Sequence, residues 1–163
     1  LQDKGVTHYQ LPEEGEIVSF HETRLSDFGL AEYAGKIEFL QGDAHNLKPQ
    51  IIGYDLVLAA NLIDRLYDPG QFLSGIHERI HPGGLLVLAS PYTWLEEFTR
   101  KENWVGGVRI AGEPFSTLEG LQQQLGSHFR LLGEPRDVQF VIRETARKFQ
   151  HTISQLTVWE RRS

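Results

Sequence analysis

Two near-continuous apolar runs, Tyr54 to Ala60 and Leu85 to Ala89, flank an amphipathic stretch, and together they predict a strand, a helix and a second strand. Such runs suit parallel strands covered on both faces. Between them Asp68 is placed to cap a helix that Pro69 opens, and Phe72, Leu73, Ile76 and Ile80 fall on one face of it. His81-Pro82-Gly83-Gly84 then ends the helix. Ligands of open α/β sheets sit beyond the carboxyl ends of the strands, so function is expected at Asn61 to Leu66 and at Ser90 to Trp94.

The remaining pattern is weaker. Val6 to Leu11 and Ile17 to Glu22 are β-prone and separated by Pro12-Glu13-Glu14-Gly15-Glu16, a hairpin signal. Residues 24 to 34 suit a short helix, and Ile37 to Leu40 reads as a strand running into the turn Gln41-Gly42-Asp43-Ala44. From Trp94 to Gly112 no period is sustained, which predicts a surface loop or lid. Ser116 and Glu119 form a capping box for a helix whose Leu118, Leu121 and Leu125 share a face. Phe129 to Leu132, Val138 to Ile142 and Ile153 to Trp159 read as strands, the last two antiparallel across Arg143 to His151, giving a mixed sheet.

With 163 residues and 40% hydrophobic content the chain fits a single domain, in which residues 1 to 35 hold the hairpin and short helix and residues 36 to 163 the main core. Its formal charge of -6, from 22 acidic and 16 basic residues, argues against a broad nucleic-acid footprint. A small-molecule partner is expected instead. Cysteine is absent, which excludes disulfides, a thiolate nucleophile and thiolate metal ligands and suits the cytoplasm. No apolar run approaches the roughly 18 residues that cross a bilayer. The chain starts at Leu1 and has no Met, so a longer parent chain with further N-terminal sequence is expected.

Several residues carry candidate chemistry. Asp43 is placed to accept from a purine amine with Ala44 leaving room for the ring, or simply to make a turn. Asn61 and Leu62 end the first buried strand, and Asp64 with Arg65 sits at the mouth of the crevice, where a local ion pair is the competing reading. Tyr92 and Trp94 follow the second strand and suit a wall against a planar or cationic substrate, with core packing as the rival for Trp94. Arg143, Arg147 and Lys148, near Thr145 and His151, suit a carboxylate or a solvated hairpin turn. His77-Glu78-Arg79-Ile80-His81 matches a zinc-hydrolase pattern. Its second histidine falls at a frayed helix end and Arg79 opposes a dication, so no metal is expected there.

The Gly42-Asp43-Ala44 turn, the Tyr54 to Leu66 strand and loop, and Pro82-Gly83-Gly84 before a buried strand together resemble the later half of a class I S-adenosylmethionine-dependent methyltransferase. YDLVLAANLIDRLYDP, GGLLVLASPYTWLEEFT and FVIRETARKFQHTISQLTVWERR further resemble the methyltransferase domain of ovothiol-biosynthesis enzymes, the mercaptohistidine N-methyltransferases. The resemblance implies a Rossmann-like α/β fold whose mixed sheet has an antiparallel last strand. It implies S-adenosyl-L-methionine as cofactor, held by Asp43, Ala44, Asn61 and Leu62. It places Arg65, Trp94 and Arg143 around an amino-acid substrate, with Asp64, Tyr92 or His151 setting the tautomer of the accepting imidazole.

Nothing before Val6 supplies that family's first strand, glycine-rich cofactor turn, first helix or second strand. Cofactor binding and activity are therefore not expected of residues 1 to 163 alone. The Tyr54 to Ala60 strand should consequently need cover, from Ile37 to Leu40 or from a second copy in a homodimer. The alternative readings are an inert methyltransferase-like fragment or interaction module and, third, a zinc hydrolase.

Overall fold

The computed structural model describes residues 5–163, which form two compact units. The first runs to Gln41 and takes in Val141–His151; the second comprises Gly42–Phe140 and Thr152–Ser163.

In the first unit, β1 (Val6–Glu14) and β2 (Ile17–Arg24) form the expected antiparallel hairpin around Gly15, whose φ of 57° supplies the left-handed turn. Residues 24 to 34, expected as one helix, instead make two 3₁₀ segments, Leu25–Phe28 and Ala31–Lys36. Gly29 breaks them apart at φ 66°. Ile37 to Leu40 forms no strand.

The second unit holds most of the main sheet, in the order β3 (Tyr54–Ala60), β4 (Ile80–Ser90), β9 (Phe149–Arg161) and β7 (Phe129–Leu131), with β8 (Arg136–Arg143) also pairing β9. The end of β8 and the start of β9 belong to the first unit, and β5 (Val108–Ile110) and β6 (Glu113–Phe115) form a separate antiparallel pair. β3 and β4 are parallel, whereas β9 runs against β4 and β7. This is the mixed α/β sheet with a reversed last strand that the sequence predicts. The crossover contains α1 (Pro69–Gly75), capped by Asp68 through the Gln71 amide at 3.0 Å. The helix was expected to reach Ile80, but it tightens to a 3₁₀ turn at Ile76–Arg79 and Ile80 already pairs with Tyr54.

Helix α1 and α2 (Thr117–Leu125) pack together, and their Phe72, Leu73, Leu121 and Leu125 join Leu86, Leu88, Phe129 and Trp159 in one core. Alternation along β4 shows the consequence, since Leu86, Leu88 and Ser90 are buried while Leu85, Val87 and Ala89 are only half-buried. On β3 the same contrast is sharper, with Ala59 in the core and Leu56 and Leu58 52% and 61% exposed. The expectation of cover on both faces is thus corrected for β3, whose apolar run reflects an open face. Among the described residues β3 is also an edge strand, with β4 as its one neighbour. No helix among them is long and apolar enough to cross a membrane.

Candidate functional site

The carboxyl ends of β3 and β4 meet the start of the second unit's part of β9 in a single hydrogen-bonded rim. Asn61 follows β3 at φ 51°, donating its backbone N–H to Ala89 O at 2.7 Å and accepting from Ser154 Oγ at 2.8 Å. Tyr92 follows β4 at φ 53° and donates its phenol to Gln155 Oε1 at 3.1 Å. Burial pushes that phenol up to about 12, so it is a neutral donor at physiological pH rather than a base.

Asp64 ties the two strand ends together. It lies in the 3₁₀ turn Ile63–Arg65, is 1% exposed, and accepts from Ser90 Oγ, Thr93 Oγ1 and Arg65 Nη1, each at 2.9 Å. Ser90 Oγ in turn accepts the Tyr92 amide at 3.1 Å. These bonds make Asp64 an orienting group for both loops. Arg65 also donates to Thr93 O at 3.1 Å and lies 4.8 Å over the Phe98 ring, so much of its guanidinium is already engaged.

Ala44 and Leu62 meet on an apolar hollow of about 310 Å³, shared with Leu47, Val57, Phe72 and Ile76. Asp43 stands beside it in a turn, its Oδ1 accepting the His45 amide at 3.0 Å and His45 Nδ1 at 3.2 Å. The His45 amide, then the ring, hold the Asp43 carboxyl below its usual range. His45 ties this loop to the segment that leads into α1: it stacks on Tyr67 with centroids 3.6 Å apart and accepts the Asp68 amide at 3.1 Å. Both bonds specify the Nδ1–H tautomer.

The structure therefore brings Asn61, Asp64, Arg65 and Tyr92 to one rim, and Ala44 and Leu62 to one hollow. Trp94 lies behind the rim. It is 8% exposed, donates to Thr117 Oγ1 at 2.9 Å and stacks near Trp104, so the expected substrate wall is corrected to a core position. Arg143 and His151 belong to the first unit. There Arg143 Nη2 donates to both carboxylate oxygens of Glu13 at 3.0 Å, Arg147 pairs with Glu14 at 3.4 Å, and Lys148 pairs with Glu144, so this cluster is neutralised by carboxylates of its own unit.

The helical spacing that the zinc pattern requires is not kept. His77 sits in the 3₁₀ turn and His81 in β4, so they do not share a helix face. His77 instead stacks on His128 with centroids 3.7 Å apart. Among the described residues no group of three or more potential ligands converges. The sequence reading missed His45, Ser154 and Gln155. Only the alternation of polar residues at the start of Ser154 to Trp159 hints at the last two, because their role depends on the register of β9 against β4.

No family model matches the chain, and no curated protein gives a significant match. Similar solved structures, each at a TM-score of 0.49, include three proteins. The structure titled for conversion of a disulfide bond into a thioacetal group during echinomycin biosynthesis has 12% identity over 74% of this chain and 54% of its own. A SAM-dependent methyltransferase from Methanosarcina mazei has 16% identity over 84% and 78%. A candidate methyltransferase from Bacillus halodurans has 15% identity over 84% and 78%. The chain thus spans about half the length of the first.

Proposed function

We propose that this chain carries the later half of a class I S-adenosylmethionine-dependent methyltransferase domain, acting on an imidazole nitrogen of a mercaptohistidine in ovothiol biosynthesis. The observation that supports it is the rim itself: the ends of parallel β3 and β4, bonded through Asp64 and joined by reversed β9, beside the hollow of Ala44 and Leu62. Ligands of such sheets bind at this end.

The residues present fit part of the cofactor. The hollow's apolar lining suits the face of an adenine, and Asp43 Oδ2, which accepts no hydrogen bond among the described residues, suits its exocyclic amine. Asn61 and Leu62 would border the methionine and sulfonium part. When bound, the cofactor supplies an electrophilic methyl group. This chain's part is orientation: Asp64 fixes both loops, and the neutral Tyr92 phenol is a donor able to select the acceptor's tautomer. No strong base is required, since an unprotonated ring nitrogen already has its lone pair. Arg65 offers a remaining cationic edge to a substrate carboxylate. Arg143, His151 and the mercaptohistidine acceptor enter through the resemblance of the Phe140 to Arg162 segment.

One observation favours a second reading, an inert methyltransferase-like fragment or interaction module. Among the described residues the strands before β3 form a separate hairpin, and no glycine-rich strand-to-helix turn precedes β3. The discriminating experiment uses the chain within its complete reading frame. Calorimetry with S-adenosylhomocysteine should give saturable heat, and mass spectrometry should show a methyl group added to mercaptohistidine from S-adenosylmethionine. Absence of both ends the methyltransferase proposal; cofactor binding without that product ends the proposed acceptor.

A further inference from the structure

We propose that the segment between β4 and α2 forms a separate binding pocket for a planar anion, an aromatic or heteroaromatic ring bearing a carboxylate or a phosphate. This inference does not rest on the methyl-transfer reading. The hollow, about 610 Å³, is of the size that holds small molecules. Its lining combines Trp104, Pro114 and Phe115 with two cations, Lys101 and Arg109.

The charge balance distinguishes it from an ordinary surface dent. Among the described residues neither Lys101 nor Arg109 pairs with a carboxylate. Lys101 Nζ lies 5.9 Å from the Trp104 centroid, and Arg109 gives Nη1 to Gly112 O at 2.8 Å, leaving other donors of its fork for a ligand. Glu119, the carboxylate in the lining, is committed to the α2 cap, accepting the Ser116 amide at 2.7 Å and hydroxyl at 2.6 Å. A hollow with net positive lining on a chain of charge -6 favours an anion locally.

The frame is also set before any ligand arrives. Trp104 Nε1 donates to Thr99 O at 2.8 Å, which fixes the ring, and the Gly107 amide donates to Phe115 O at 2.8 Å. Gly107 has φ 74°, and a Cβ there would lie 3.1 Å from Trp94 Cδ1; at Gly106 it would lie 2.3 Å from Ser116 O. Backbone therefore packs tightly at the glycine pair. A rigid aromatic ring loses little entropy on entering such a frame.

The test is calorimetry and amide NMR with two anionic probes, indole-3-acetate for the carboxylate arm and adenosine monophosphate for the phosphate arm, with indole as the neutral control. Saturable binding of at least one anion, with shifts at Gly107 and the Trp104 indole N–H, is expected. The double variant Lys101→Gln, Arg109→Gln should weaken it by at least about tenfold. Both side chains are exposed, so its melting temperature should match the parent's and confirm folding. No binding of either anion to about 10 mM, equal affinity for indole, or unchanged affinity in the folded double variant overturns the inference.

Discussion

Replacing Asp64 by Asn keeps the side chain's shape while removing the charge that three donors converge on. A hydrogen bond to a charged group contributes about 1.5–3 kcal/mol and a neutral one about 1, so each hydroxyl bond should lose about 1 kcal/mol. The Arg65 contribution is smaller, because its side chain is 39% exposed and water screens the pair. The sum is about 2 kcal/mol for Asn. Asp64→Ala removes all three acceptor bonds and leaves a buried gap, for about 4 kcal/mol. All three tryptophans lie in the second unit, so their fluorescence during urea unfolding reads the relevant structure. With a slope of about 2 kcal/mol per molar, the Asn variant's midpoint should fall by about 1 M. A shift below about 0.2 M for both variants would refute the claim that Asp64 joins the strand ends.

Other perturbations test other parts of the fold. The Tyr92 phenol is raised from 10.0 to about 12 by burial, so the unfolded chain releases this proton first and stability should fall as pH rises between those values. Tyr92→Phe should flatten that part of a stability-versus-pH curve, and an unchanged slope would contradict it. Gly120→Ala would place a Cβ 1.7 Å from Val105 O, forcing α2 away and costing about 3 kcal/mol in chemical denaturation; a loss under about 0.5 kcal/mol would mean the contact is not this close. We also propose that a second copy adds to the open edge of β3. Sedimentation should then show a dimer that Leu58→Lys converts to monomer, and a parent chain that is monomeric at all loading concentrations would reject it.

The crossover was legible because its signals agree: Asp68 caps, Pro69 starts, and the apolar positions repeat at helical spacing between two apolar runs. Where one signal has two outcomes, the sequence was ambiguous. Ile76 and Ile80 continue the helical stripe, yet pairing of Ile80 with Tyr54 draws the chain into β4 early. Ile37 to Leu40 has strand-like composition but takes no strand conformation, since composition alone does not decide pairing. Position after a strand was enough to place Asn61, Asp64, Arg65 and Tyr92 at one end of the sheet. It could not reveal that Asp64 is saturated by hydroxyls, that Trp94 finds Thr117, or that Glu13 neutralises Arg143, because each partner is distant in sequence.

Asn61 and Tyr92 hold left-handed backbone, which asparagine tolerates well and which costs roughly 1–2 kcal/mol for a side chain such as tyrosine. Glycine at either place would keep the bend but delete the group that the bend aims, Asn61 toward Ser154 and Tyr92 toward Gln155. Both positions are thus held by partners across the sheet: any backbone relief that glycine brings is offset by a lost hydrogen bond of about 1 kcal/mol and, at Tyr92, by lost burial as well.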